Sequence, residues 1–415
     1  MRTDEAYNIL DIVNEEYGII LTKGGNVCIS FKVKEPECYS LSREDIDLRD
    51  KMLKEAFRFL PEGCYIHKQD IFQKKYYHSV PMNWSFLDIA DAKHFENRLY
   101  MQHTCVLHFV LTGLKSLEKS YISSPLKYKE NLHKDDLEKL SNFLEAINNC
   151  ISILKNLRDT QIISIKGDEL RNLILGYSNL FVETNAITDI HVDNELHVGK
   201  IKARYFCICD ETMFPDNSVS SYVKDSSLPM ANAELYHPLL EELGMYLPYN
   251  HIVNQIIYLE GNEKLRAQIA RNIDIYGSNS SMSKSIKVQF EKLDKLQEEI
   301  LEENEILVRT HFSVCIFDES GSNLDKAEKT VKETLNINQF KYYIPGYENL
   351  AKIHFSCVPG QISCMPKEYL VLTTLPIALC LFLQCSEYMN DNEGIFVHDR
   401  MYQIPLRKDI WDAAK

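Results

Sequence analysis

The sequence is poor in the features that mark several broad classes of protein. It holds only 15 glycines and 13 prolines in 415 residues, which excludes collagen-like and linker-dominated chains. No run of five basic residues occurs, and the formal charge of −14 implies no general surface for nucleic-acid phosphates. Residues 1–10 lack an apolar block, so they do not have the form of a signal peptide.

The cysteines do not form a recognisable framework. There are 12 of them, and no Cys-x-x-Cys motif occurs. Most lie inside apolar runs, where a thiol behaves as a small hydrophobic group; examples are Cys28, Cys105, Cys209, Cys315 and Cys380. This usage predicts free thiols and a reducing, cytoplasmic setting.

Motifs for nucleotide and acyl chemistry are also missing. The sequence contains no G-x-x-x-x-G-K-[ST] loop and no G-x-S-x-G elbow. Val314–Phe317 followed by Asp318 and Glu319 has the form of a Walker B strand, which supplies a magnesium-binding carboxylate and a general base. Asp-Glu after a strand is also ordinary loop chemistry, so we predict no catalytic role for this pair.

Two groups of histidines could be considered as metal ligands. His94, His103, Cys105 and His108 lie close in sequence, but a strand would place His103 and Cys105 on one face and His108 on the other. His94 belongs to a different element. The second group, His191, Asp193 and His197, flanks a tight turn. We predict no metal site and no cofactor site from either group.

The order of elements predicts an α+β protein. Its 45% hydrophobic content supports a packed core, and 415 residues allow two or three domains. Periodicity predicts strands and helices in the first third in the order typical of a ferredoxin-like unit. The predicted strands are 17–22, 27–33, 64–72, 104–111 and 161–165, and the predicted helices begin after Ser42, near Ser85 and at Asp135.

Composition suggests a division into three segments. We predict an α+β subdomain over 1–166, a connecting helix, hairpin and loop over 167–229, and a second α+β subdomain over 230–415. The stretch from Pro215 to Pro229 is the clearest loop. Tyr369–Ser386 is uncharged for 18 residues, and its threonines, proline and glutamine favour a buried core helix over a membrane span. The helix predicted over Ser285–Asn304 crowds glutamates at its end, so that end should fray or meet a basic partner.

Six groups of short segments occur together in an order and spacing that cover almost the whole chain. They are Asn26–Pro36; Leu60-Pro61 with Ile66–Asp70; His94–Tyr100 with His103; Asn250–Gln255; Arg309–His311; and Gly394–Arg400. In these segments the chain resembles the N-terminal region of the TraG-type conjugation ATPases, the large ATPases of type IV secretion systems. Leu99 departs from the family pattern, which usually places proline after the arginine.

The resemblance implies an assembly role rather than catalysis. In that family the N-terminal region docks a RecA-like motor domain to inner-membrane components of the conjugation channel and contributes to self-association. The closing hairpin is similar to the lead-in to the motor's phosphate-binding loop, so the motor and its Mg-ATP site are expected beyond this chain. The implied location is the cytoplasmic face of the inner membrane, peripheral and without a transmembrane segment. The docking surface is not identified; the helix face at 285–304 and the loop at 215–229 are candidates.

Two other functions stay open at this point. The chain could be a self-contained nucleotide- or metal-dependent enzyme that uses Asp318 and Glu319 or the histidine and cysteine cluster. It could also handle DNA, since conjugation moves DNA, although the charge of −14 disfavours direct nucleic-acid binding.

Overall fold

A computed structural model describes residues 9–14, 16–37, 40–78, 86–115, 133–182, 188–215, 219–224, 235–279, 283–303, 305–386, 391, 394–398 and 405–411. The strands are β1 (Ile9–Asn14), β2 (Gly18–Thr22), β3 (Val27–Lys34), β4 (Cys64–Tyr76), β5 (Leu99–Leu111), β6 (Gln161–Ser164), β7 (Ile190–Val192), β8 (Leu196–Val198), β9 (Ile201–Ile208), β10 (Tyr222–Lys224), β11 (Tyr236–Pro238), β12 (His251–Leu259), β13 (Leu307–Asp318), β14 (Val371–Thr374), β15 (Ile395–His398) and β16 (Pro405–Lys408). The helices are α1 (Arg43–Phe57), α2 (Phe86–Phe95), α3 (Lys134–Leu154), α4 (Gly167–Ser178), α5 (Asn262–Asn279), α6 (Lys284–Glu303), α7 (Gly321–Ile337), α8 (Tyr347–Ser356) and α9 (Leu375–Leu379). The predicted α+β class is confirmed.

The first part of the chain forms a ferredoxin-like unit. Its strands lie in the order β6-β3-β5-β4, all antiparallel, and α1 and α3 make the two crossovers. The helix predicted after Ser42 begins there with a capping box: the Asp45 amide donates to Ser42 Oγ at 3.2 Å, and the Ser42 amide donates to Asp45 Oδ2 at 3.0 Å. Such a cap stabilises the helix end by about 1 kcal/mol.

A second unit repeats the same strand order with different connections. β9, β12 and β13 lie in the order β12-β13-β9, and Tyr343 bridges to Cys207 on the side of β9 away from β13, where β8 also pairs. Short 3₁₀ and strand segments replace the crossover helix between β9 and β12, and the helix pair α5–α6 is inserted between β12 and β13. These departures from helix–strand alternation hide the repeat from sequence periodicity.

The two units share one continuous sheet. β4 pairs antiparallel with β12 over Cys64–Phe72, and each is the corresponding edge strand of its unit. Strands from all three predicted segments (1–166, 167–229 and 230–415) therefore lie in this sheet.

Both faces of the sheet are covered. One face packs on α1, α3 and α7, through side chains such as Phe57, Phe143 and Val331. The other face packs on α4 and α8, through Leu170 and Ile353. Fully burying each of these side chains contributes about 1.5–3 kcal/mol.

The uncharged run Tyr369–Ser386 is buried in large part, but the predicted single helix is wrong. Residues Val371–Thr374 form β14 on the edge of β13, because their β-branched threonines suit a strand. The short helix α9 follows, with Pro376 in its first turn, and the chain continues without regular structure to Ser386. Across the described residues, no helix is long and apolar enough to cross a membrane.

Three other sequence predictions can be compared with the described residues: the helix at 285–304, the loop at 215–229 and the closing hairpin. The helix predicted over Ser285–Asn304 is α6, and its backbone stays helical to Glu303. Glu305 is buried and forms an ion pair with Lys54 of α1. Of the loop predicted over Pro215–Pro229, residues 216–218 and 225–229 lie outside the described part; β10 lies between them. The closing hairpin is present as β15 paired with β16, and residues 399–404 lie outside the described part.

Candidate functional site

Several buried ionisable side chains lie together where the two units join. β4 carries four consecutive polar residues, His67 to Asp70, in a strand that is apolar on either side. Because side chains alternate along a strand, Lys68 and Asp70 lie on the α1 side of the sheet and His67 and Gln69 on the α8 side. All four are buried.

On the α1 side, Asp70 is the centre of a charged cluster. Lys68 Nζ lies 2.5 Å from Asp70 Oδ2 and 3.4 Å from Glu35 Oε1. His103 Nε2 lies 2.8 Å from Asp70 Oδ1, and Gln255 Nε2 donates to Asp70 Oδ2 at 2.5 Å. We call Glu35, Lys68, Asp70, His103 and Gln255 the junction cluster. Glu35 directly follows β3, the other members lie on β4, β5 and β12, and none is more than 8% exposed.

The charges in the junction cluster are set by its own members. Burial alone would raise the pKa of the Asp70 carboxyl, but the Lys68 ammonium and the His103 hydrogen bond outweigh burial and hold that pKa well below its usual range. Burial alone would lower the pKa of Lys68, but the Asp70 carboxylate raises it above its usual range. Burial raises the pKa of Glu35, which Lys68 opposes. Lys68 and Asp70 therefore form the ion pair, and Glu35 lies beside it.

The cluster includes donors that could hold a metal, but the Lys68 ammonium already contacts both of its carboxylates. Oxygen atoms of Glu35 and Asp70 and the sulfur of Cys105 lie within 4.8 Å of one another, the tightest group of this kind in the described part of the chain. Lys68 Nζ contacts both carboxylates, and burial raises the pKa of the Cys105 thiol well above its usual range. A metal needs the thiolate and would have to displace the ammonium, so these residues fit a lysine-neutralised ion cluster better than a metal centre.

The end of the uncharged run covers the cluster. The Leu383 amide donates to Gln255 Oε1 at 2.6 Å, and Ser386 Oγ lies 3.3 Å from His103 Nδ1. Gln384, between them, donates to Asp50 Oδ1 at 2.6 Å and lies 3.4 Å from Arg49 Nε. This cover ties α1 and the cluster together and excludes solvent from the ion pair.

A small cavity lies beside the cover. It has a volume of ≈ 30 Å³, and Glu35, Arg49, Lys68 and Gln384 line it together with apolar side chains of α1 and α3. A space of this size holds roughly one or two water molecules. It is far too small for a nucleotide.

The opposite face of the same strands carries a neutral hydrogen-bond chain. Ser30 Oγ lies 2.7 Å from His108 Nδ1, and His108 Nε2 lies 3.1 Å from Gln69 Oε1. Gln69 Nε2 donates to Asn254 Oδ1 at 2.7 Å, and His67 Nε2 lies 3.1 Å from the same oxygen. Burial lowers the pKa of His67 to about 4 and that of His108 well below its usual range, so both imidazoles are neutral near pH 7.

The neutral and the charged network thus lie on opposite faces of the sheet, and both cross the β4–β12 strand pair. Each crosses from one unit to the other, through Asn254 on one face and Gln255 on the other. These buried side chains can form their hydrogen bonds in only one register of β4 and β12, because a slip of one residue would turn each side chain to the opposite face of the sheet. The arrangement therefore specifies how the units join.

The histidine and cysteine group considered in the sequence is not brought together. His103 and Cys105 share the face of the junction cluster, His108 lies on the opposite face, and His94 is exposed on α2, 2.8 Å from Arg98 Nη2. The predicted arrangement of these residues on their elements is confirmed.

The other two sequence candidates lie elsewhere. Asp318 Oδ1 accepts the Ser320 amide at 2.7 Å and so shapes the turn into α7, while Glu319 is exposed. On the β7–β8 hairpin, His197 Nε2 and His191 Nε2 lie 3.4 Å and 3.9 Å from carboxylate oxygens of Asp193. Asp193 also accepts the Glu195 amide at 2.8 Å, which closes the turn.

Sequence reasoning did not identify the junction cluster as a site. Its signal is the buried polar run His67–Asp70, which lies between the apolar stretches Cys64–Ile66 and Ile71–Phe72 of β4. The partners lie far away in the chain: Glu35 precedes the run, and Gln255 follows Asp70 by 185 residues. No family model and no curated protein matches this chain.

Proposed function

We propose that this chain is the docking and assembly region of a conjugative-transfer ATPase of the type IV secretion kind. Its role is to bind inner-membrane components of the channel, and itself, at the inner face of the cytoplasmic membrane. Hydrolysis of Mg-ATP is assigned to a separate motor domain of the parent protein. The support from sequence is the resemblance carried by the six segment groups; the support from structure is a distinct apolar surface.

That surface lies around the far end of the β4–β5 hairpin. Tyr76 and Leu99 are cross-strand partners there. α2 lies in the connection between these strands, and its end is tied to them because the Asn97 amide donates to the Tyr77 carbonyl at 2.9 Å. α2 also contacts β16. We define the distal patch as the large apolar side chains on these elements and just after β16 that are each more than half exposed: Tyr76, Phe86, Ile89, Leu99, Ile410 and Trp411.

The distal patch is the observation that carries the proposal. Phe86 is 84% exposed and Trp411 is 81% exposed, whereas scattered single apolar residues are the rule on most protein surfaces. Exposed aromatic side chains on adjoining elements are typical of a protein interaction site. The ionisable groups of the junction cluster, in contrast, are buried and link the two units.

The occupant we assign to the distal patch is the cytoplasmic segment next to a membrane helix of a channel component. Such segments carry an excess of lysine and arginine. A chain with a formal charge of −14 attracts them over long range and is repelled by anionic lipid itself. Attachment to the membrane would then be through protein, with apolar contacts at the distal patch fixing the complex.

The test uses the inner-membrane channel proteins encoded with this chain, each purified in neutral-lipid nanodiscs. Biolayer interferometry should show binding by the wild type and a loss of about tenfold or more in Phe86→Asp/Trp411→Asp, because interface anchors of this kind cost about 2 kcal/mol or more when removed. The matched control is Ile337→Asp, at an apolar residue 73% exposed outside the patch, which should bind as the wild type does. Equal binding by all three proteins, or no binding by any, would count against the proposal.

A further inference from the structure

A two-helix arm extends from the second unit. α5 and α6 are inserted between β12 and β13, and each is the other's main packing partner. At the base of the arm, Leu265 and Ile269 of α5 are buried against Leu307. We call α5 and α6 the helical arm.

Beyond its base the helical arm is only half-buried. Ile273 of α5 and Ile286, Phe290 and Leu293 of α6 are all partly exposed, and no side chain described on α6 is buried. The helices approach closely at Gly277, where an added Cβ would lie 3.1 Å from the Phe290 ring. Two helices alone leave one side of their apolar groove open, and a second pair of helices covers it in a four-helix bundle.

The charges on α6 are separated along its length. Lys284 and Lys287 are exposed in the first turn. The last six residues of the helix include four glutamates: Glu298, Glu299, Glu302 and Glu303. Negative charge at a helix C-terminus is unfavourable next to the macrodipole unless a positive group lies nearby.

Lys54 of α1 pairs with Glu305 just beyond this end, and an antiparallel copy of α6 would bring two further lysines to the glutamates of the helix itself. α6 has 20 residues, which corresponds to a length of about 30 Å. If two copies cross antiparallel near Leu293, the lysines of each first turn lie opposite the glutamates of the other's last turn. Because the interface is isologous, one two-fold axis gives both ends of the bundle the same contacts between lysines and glutamates.

We infer that the helical arm is a self-association surface, on which two copies of this chain pair their arms antiparallel into a four-helix bundle. The inference rests on the assembly role proposed above and names the surface for one of its partners, a second copy. Apolar contacts along the groove provide the affinity, and the lysine and glutamate ends select the antiparallel orientation.

The experiment measures the oligomeric state of the full chain by sedimentation velocity over a range of concentrations. Wild type should dimerise, and dimerisation should weaken as salt rises. Lys284→Glu/Lys287→Glu makes both ends of α6 negative, and Glu298→Lys/Glu299→Lys/Glu302→Lys/Glu303→Lys makes both ends positive. Each variant alone should dissociate about tenfold or more readily, because like charges then meet at both ends of the bundle.

The decisive experiment uses an equimolar mixture of the two variants. In the mixed dimer every lysine block faces a glutamate block again, so affinity should return to the wild-type value. Lys329→Glu/Lys341→Glu, at exposed lysines outside the arm, is the matched control and should dimerise normally. Far-UV circular dichroism verifies that the surface variants keep the fold.

A monomeric wild type, or variants that dimerise like the wild type, would overturn the inference, and so would a mixture no tighter than either variant. These results are separable from the proposed function. Arm variants that lose dimerisation but still bind channel proteins in nanodiscs leave docking intact. If the wild type dimerises but binds no channel protein, the self-association surface is supported and the docking role is contradicted.

Discussion

Replacing Lys68 by methionine removes the only cation that contacts both carboxylates of the junction cluster within the described structure. Methionine keeps most of the apolar stem, so the change isolates the ammonium. Asp70 keeps its hydrogen bonds from His103 and Gln255 but loses the ion pair at 2.5 Å. Breaking a buried pair by removing one partner costs about 3–5 kcal/mol, because the other charge stays buried without compensation.

The stability difference between wild type and Lys68→Met depends on pH, and the direction of that dependence follows from the pKa of Asp70. The pKa of Asp70 is lowered in the folded wild type, so its stabilising contribution is present above the unfolded-state pKa and is lost as pH falls through the folded-state pKa. In Lys68→Met the Asp70 carboxyl is buried without the ammonium, and acid relieves that penalty by protonating it. The stability difference between wild type and variant should therefore be largest near pH 7 and shrink toward pH 4.

Equilibrium urea denaturation, followed by far-UV circular dichroism, measures the free energy of unfolding of wild type and variant at each pH. Lys329→Met is the matched control, since its side chain is 77% exposed and its pairing with Glu333 at 3.7 Å contributes little. We expect the control to change the free energy of unfolding by less than about 0.5 kcal/mol. A loss below about 1 kcal/mol in Lys68→Met, or a difference that grows on acidification, would refute the reasoning.

Two further predictions concern the buried surfaces of the sheet. In long-range ¹H–¹⁵N spectra, His67, His251 and His311 should remain neutral from pH 5 to 8, because burial lowers the pKa of each to about 4; protonation of any of them near pH 6.5, the value for a free imidazole, would contradict the burial. Gly18→Ala should destabilise the chain by about 2 kcal/mol in thermal unfolding, because an added Cβ would lie 2.4 Å from the Ile165 carbonyl oxygen, a backbone atom that cannot rotate away; Gly321→Ala, where an added Cβ meets no atom within 4 Å, is its control and should not lower the stability.

Part of the fold can be predicted from the sequence. In the first unit, strand alternation and helical spacing follow each other cleanly, and Ser42 with Asp45 marks the start of α1. In the second unit the usual crossover helix is missing between β9 and β12, and the helical arm interrupts the β12–β13 pair. The local patterns are present there, but their order no longer indicates the strand order.

The junction cluster could not be assembled from the sequence for a different reason. Its members are ordinary residues, and what makes them a site is long-range pairing across the β4–β12 seam. Asp70 meets Gln255 only because a nine-residue register aligns the two strands. The uncharged run Tyr369–Ser386 shows the same limit: its hydrophobicity indicates burial, but pairing with β13, which hydropathy does not encode, turns its first part into a strand.

The central proposal is that this chain works by docking through the distal patch, while the junction cluster links its two units. The most direct test is the affinity for a channel protein in neutral-lipid nanodiscs, compared between wild type and the distal-patch variant Phe86→Asp/Trp411→Asp. The account predicts an affinity lowered about tenfold or more in this variant, with Ile337→Asp unchanged. An equal affinity for the patch variant and the wild type would contradict it.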